Sequence, residues 1–120
     1  MGIAAEEGVD GVTASNTFPI QSREMSIGTG GLSGRAVFPD TVRIVQDIYQ
    51  ATEGRLAINA CGGIFTAADA IRCMRAGACT VQVYTGLVYQ GPRIVRDIAL
   101  GLLRELAASP AGVSSLVGAA

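Results

Sequence analysis

Four short clusters in this chain carry groups able to hold a small anion. They are Ser15, Asn16 and Thr17; the loop GTGGLSG over residues 28–34; the triplet Cys61, Gly62 and Gly63; and the triplet Tyr84, Thr85 and Gly86. The absent residues narrow the chemistry. There is no histidine, and the nine basic residues are all arginine. The commonest general base and the Schiff-base lysine are therefore both missing. What remains is recognition by backbone and hydroxyl groups. Glycines between a strand end and a helix start let N–H groups approach a phosphate, and the helix dipole there favours negative charge. A hydrogen bond to a charged group contributes about 1.5–3 kcal/mol, so several amides could hold a dianion without any lysine.

Each cluster also has a plainer reading. Gly62 and Gly63 can simply make a tight turn, and Asn16 and Thr17 a local turn or cap. Tyr84 can be a half-buried aromatic with its hydroxyl at the rim, and Arg35 a solvated loop side chain. Cys61 reads as packing, because no histidine is present to activate it. The three cysteines form no CxxC pair and no metal-binding spacing, so no metal site is expected.

The elements that must position these clusters follow from periodicity. GVTAS near residue 13, RLAINA over 55–60 and CTVQVYT over 79–85 are short apolar runs that suit strands covered on both faces. In PDTVRIVQDIYQATEG, Asp40 is placed to cap a helix, Val42, Val45, Ile48 and Tyr49 line one face, and Gly54 ends it. TAADAIRCMRAG has the capping-box spacing of Thr66 and Asp69, with Ile71 and Met74 inward and Gly77 as the stop. GPRIVRDIALGLLRELAASP opens on Pro92 and carries Ile94, Val95, Ile98, Leu102 and Leu106 on one stripe; Gly101 weakens that helix by about 1 kcal/mol relative to alanine. A short helical stretch, IAAEEG, precedes everything, ends at Gly8 and reads as a cut end. The last residues, 108–120, are expected to fray or to cover apolar surface.

The order β-α-β-α-β-α predicts a parallel sheet with right-handed crossovers, either an open doubly wound sheet or part of a (β/α) barrel. A closed eight-unit barrel needs about 250 residues. The chain has 120, so one partial domain of about three β-α units is expected over residues 1–120. Two unpaired strand edges and an uncovered inner face predict completion by a homodimer or higher oligomer. The chain is 49% hydrophobic and 16% charged with a net charge of −1, which argues against disorder and gives no electrostatic case for nucleic acid. It shows no secretory leader, myristoylation pattern or membrane span, and a cytoplasmic location is expected.

The succession GVDGVTASNT … GGLSGRA … ACGGIFTAADAIRCMRAGACTVQVYTGLVYQGP resembles the carboxyl-terminal part of dihydroorotate dehydrogenases, nearest their membrane-associated, quinone-using class. The resemblance runs from about residue 8 to residue 107 and implies the last three strand–helix units of an FMN-bearing (β/α) barrel. It implies that Asn16 and Thr17 hold the pyrimidine substrate near the flavin. It also implies that Ser33 and Gly34 belong to a loop over the flavin, that the amides of Gly62 and Gly63 receive the FMN phosphate, and that Tyr84 and Thr85 meet the same phosphate. Such enzymes, acting in pyrimidine biosynthesis, convert dihydroorotate to orotate: a hydride passes to FMN while a serine or cysteine base removes the neighbouring proton. That base, the flavin-contacting lysines and the membrane-docking helices lie upstream of the matching segment. No catalytic residue is assigned here, and turnover by the chain alone is not expected. Asn59 departs from the small apolar residues expected on a buried strand. The alternatives are a module that binds a phosphate ligand without catalysis, and a self-associating structural remnant.

Overall fold

The computed structural model describes residues 2–109 and 111–119. Three parallel strands, β1 (Gly11–Ala14), β4 (Ala57–Cys61) and β5 (Thr80–Gln82), form one sheet in the order β1-β4-β5. Gly11 pairs with Ala57 and Ala14 with Ala60 on one side of β4, and Cys61 pairs with Gln82 on the other. The two long crossovers carry helices α2 (Phe38–Ala51) and α3 (Ala67–Ala76), and α5 (Arg93–Ala107) follows β5. A five-residue helix, α1 (Gly2–Glu6), buries nothing.

All three helices pack on one face of the sheet. Strand β4 shows why: Ile58 and Ala60 point to that face and are buried, while Ala57, Asn59 and Cys61 point away. The core is completed by Ala14, Phe38, Val45, Ile48, Ala70, Cys73, Ile94 and Ile98. Asn59 is therefore not buried among apolar groups. It lies half-exposed on the face without helices, donating through Nδ2 to Thr13 Oγ1 at 3.3 Å and Gln82 Oε1 at 2.9 Å, and accepting from Thr80 Oγ1 at 2.8 Å. One amide thus stitches all three strands.

The helices meet most expectations, with particular exceptions. Thr66 and Asp69 form the full capping box of α3. Asp40 does not cap α2. Val37 occupies that position with Pro39 in the first turn, and Asp40 instead pairs with Arg43 at 3.0 Å. On α5, Ile94 and Ile98 are buried and Leu102 packs against the core, but Val95 is 57% exposed. Gly101, counted above as a propensity cost, has a packing reason. A Cβ there would collide with the Ala67 side chain at the start of α3, so its absence lets the two helices cross closely.

Two elements lie outside the simple alternation. Strands β2 (Phe18–Gln21) and β3 (Thr29–Leu32) form an antiparallel hairpin between β1 and α2, with Phe18 opposite Leu32 and Gln21 opposite Thr29. Its Pro19, Gly30 and Gly31 are residues that strands usually avoid, so the segment reads as loop in sequence. A separate short helix, α4 (Thr85–Gln90), stands between β5 and α5. Within the tail, a 3₁₀ turn at Val113–Ser115 leads to Leu116, which is buried, and the Gly118 amide donates to Met74 O at 3.1 Å. Pro110 and Ala120, within the stretch expected to fray or cover, lie outside the described residues.

Candidate functional site

The carboxyl ends of the three parallel strands and the end of the hairpin open onto one cleft of about 230 Å³. Its wall includes all eight site residues read from the sequence: Asn16, Thr17, Ser33, Gly34, Gly62, Gly63, Tyr84 and Thr85. Convergence at strand ends is what a parallel α/β arrangement dictates, because every strand-to-helix loop emerges on the same side.

The loop after β4 is shaped by its glycines. Gly63 has φ +71°, and a Cβ there would lie 2.7 Å from Phe38 Cβ and 2.8 Å from the Gly34 carbonyl oxygen. Gly62, at φ +130°, is similarly tight: its Cβ would stand 2.5 Å from Thr41 Oγ1. Neither position admits a side chain without strain. The parallel pairing of Cys61 with Gln82 turns the Gly62 amide towards β5, and the amides of Phe65 and Thr66 both donate to Asp69 Oδ2 at 3.0 Å; among the described residues, the Gly63 amide donates to no protein group. The Gly63 donor is thus left available beside the cleft.

The other loops close around them. Thr85 Oγ1 donates to Ser33 Oγ at 3.2 Å, joining the loop after β5 to the loop after β3. Gly34 faces the Thr85 methyl, and its carbonyl lies against Gly63. On the far wall the Asn16 side chain accepts the Thr17 amide at 2.7 Å, and Ser15 N donates to Cys61 O at 2.8 Å, holding the end of β1 beside that of β4. The peptide between Ala14 and Ser15 is cis. Tyr84 is 74% exposed at the rim, so the half-buried placement suggested by its chemistry does not hold.

Some cleft residues lie outside the four clusters read from the sequence. Val37, Ile64 and Gln82 also line the wall, beside the cluster residues Ser15, Cys61 and Gly86. Strand alternation gives the signal for Gln82, two positions before Tyr84 on the face away from the helices. Thr41 offered no such signal. It is buried beneath the glycine loop, where its hydroxyl donates to Val37 O at 3.2 Å and approaches Ser15 Oγ at 3.4 Å.

The electrostatics favour recognition over proton transfer. No carboxylate lines the cleft, so nothing there repels an anion. Burial pushes the Cys61 thiol above its usual pKa, which keeps it neutral and poorly nucleophilic near pH 7. Cys73, in the core, is pushed up to about 12, first by burial and then by the nearby Asp69 carboxylate. Among the described residues, no group of three or more His, Cys, Asp or Glu could hold a metal ion, and no helix is long and apolar enough to cross a membrane.

With this geometry in place, the likeness to known proteins is specific. The family described as Dihydroorotate dehydrogenase matches residues 2–106. A dihydroorotate dehydrogenase (quinone) of Parvibaculum lavamentivorans is 43% identical over 111 residues, covering 88% of this chain and 32% of the relative. The enzyme of the same description from Trichodesmium erythraeum is 39% identical over 109 residues, covering 82% of this chain and 29% of its own length. The crystal structure of DHODH from Eimeria tenella, in complex with ferulenol, superposes with a TM-score of 0.87 at 38% identity, covering 98% of this chain and 33% of the other. The parallel β1-β4-β5 sheet with its helices is accordingly part of a (β/α) barrel. The chain belongs to the dihydroorotate dehydrogenase family and spans about a third of the length of the relatives it matches.

Proposed function

We propose that this chain forms the FMN-phosphate-holding portion of a flavoprotein that oxidises dihydroorotate to orotate. Ser33, Gly34, Gly62, Gly63, Tyr84 and Thr85 hold the cofactor's phosphate end, and Asn16 with Thr17 faces the pyrimidine. The observation that carries this reading is the Thr85–Ser33 hydrogen bond at 3.2 Å, which draws two loops together beside the free amide of Gly63. The residues fit the group. The glycine pair has no room for side chains, the Gly63 donor is unspent, and no carboxylate lines the wall.

FMN supplies the hydride acceptor when bound. This chain's residues bind and orient: backbone amides meet the phosphate, the hydroxyls of Ser33 and Thr85 flank it, and the Asn16 amide group is placed for polar contacts with a pyrimidine. None of the cleft-lining residues is a histidine or a carboxylate, and the Cys61 thiol is held neutral. The chain by itself therefore binds without turning substrate over. The quinone of the relatives' description would be the oxidant of a complete enzyme.

Substitution Gly63→Ala tests this. The added methyl cannot fit beside Phe38 Cβ and the Gly34 carbonyl, so the loop must move its amides. FMN affinity, read by quenching of flavin fluorescence, should fall about tenfold, the equivalent of one charge-assisted hydrogen bond. Unchanged affinity in a folded variant would overturn the proposal.

We also propose that a second copy of the chain covers the exposed sheet face. Among the described residues, β1 and β5 each pair on one side only, and open edges of this kind seek partners. The mass in solution at micromolar concentration should be two or more times the 12.3 kDa of one chain. A monodisperse monomer would contradict it.

A further inference from the structure

We infer that Arg35 and Asp69 are positioning residues that clamp the Ser33–Gly34 loop to the Gly62–Gly63 loop and so fix the spacing of the donors around a phosphate. The inference rests on the phosphate reading of the cleft but names residues that do not line it. Asp69 is 8% exposed, in the first turn of α3. A capping box requires its carboxylate to accept only the Thr66 amide. Here Oδ2 also accepts the Phe65 amide, at the same 3.0 Å. The grip thus reaches one residue further back, towards Gly63.

From the opposite side comes Arg35, the residue after Gly34. Its guanidinium carbon lies 5.0 Å from the centroid of the Phe65 ring, and its Nη1 lies 3.8 Å from the same Asp69 Oδ2. One carboxylate oxygen therefore gathers two amides from the glycine loop and a cation from the serine–glycine loop. The Phe65 ring extends the contact to a third element, because it lies 6.3 Å from the ring of Tyr89 on α4, the helix that begins at Thr85. The three loops that supply the donors share one anchoring cluster outside the cleft. Arg35 is 61% exposed in its side chain. Its contribution is accordingly to geometry rather than to global stability.

The test compares FMN with riboflavin, which lacks the phosphate, in Arg35→Gln, Asp69→Asn and the control Thr66→Ala. The control removes the hydroxyl that accepts the Asp69 amide but leaves both amides bound to the carboxylate. Backbone order parameters at Ser33, Gly34, Gly62 and Gly63 are measured without flavin. Arg35→Gln should narrow the preference for FMN about threefold, the scale of an exposed cation–π contact and ion pair. Asp69→Asn should narrow it about tenfold, by weakening charge-assisted bonds to two amides. Both should lower the order parameters from about 0.85 towards about 0.6. Thr66→Ala should lower the unfolding temperature and leave preference and order unchanged. If Arg35→Gln and Asp69→Asn leave the order parameters at the wild-type value, the clamp is wrong whatever the flavins do. If the wild type prefers neither flavin while the order parameters fall as expected, the phosphate reading is wrong and the clamp stands.

Discussion

The two faces of the parallel sheet differ in what they ask of neighbouring residues on one strand. On the helix side, Ile58 and Ala60 of β4 are buried in one apolar cluster with Val45, Ile48, Cys73 and Ile98. On the opposite side, Asn59 ties Thr13, Thr80 and Gln82 into a polar row whose far end, Gln82, reaches the cleft wall. The first face supplies cohesion through buried apolar area. The second keeps the strands in register while staying compatible with a polar ligand at their tips. Stability and recognition thus sit on opposite sides of a strand only five residues long.

Exchanging chemistry between the faces breaks this division. Ile58→Asn puts an amide with no partners into the core and should cost about 3–5 kcal/mol, read as the denaturant midpoint at constant slope. A loss below 1 kcal/mol would mean that the helix-covered face is not the core. A smaller but less intuitive loss is expected at Gly101. Alanine improves helix propensity by about 1 kcal/mol, yet its methyl meets Ala67 on α3, and the net change should be a destabilisation of about 1–2 kcal/mol. A stabilised Gly101→Ala variant would show that α3 and α5 do not cross closely there. The least effect is expected for Asn59→Ile, within about 1 kcal/mol, because the row it leaves is solvent-accessible and can rebond to water. Its signature should instead be loosened pairing of β1 and β5, seen as faster amide exchange along those strands.

The same contrast explains what the sequence disclosed. Strands covered by helices announce themselves as short apolar runs; β1 and β5 lie within those runs, and β4 passes the end of its run by one residue, Cys61. The capping box of α3 was legible because Thr66 and Asp69 signal by type and spacing. The hairpin was not, since Pro19 and the Gly30–Gly31 pair speak against strands until Thr17 and Met25 are seen packed against those glycines. Asp40 looked like a cap because its side chain suits one, but Pro39 lets the helix begin three residues earlier. Asn59 looked misplaced because a single sequence does not say which face of a strand is covered. The eight residues assigned to the site gather in one cleft because fold topology collects strand ends. Their mutual hydrogen bonds, and the support from Thr41 and Asp69, depend on loop geometry that residue types do not encode.

The most direct test of the central claim is to titrate the purified chain with FMN and with riboflavin under identical buffer and ionic strength. If amides at the strand tips hold a phosphate, FMN binds at least about tenfold more tightly, from one or more charge-assisted hydrogen bonds that riboflavin cannot make. Equal affinities, or no binding of either, would contradict the account.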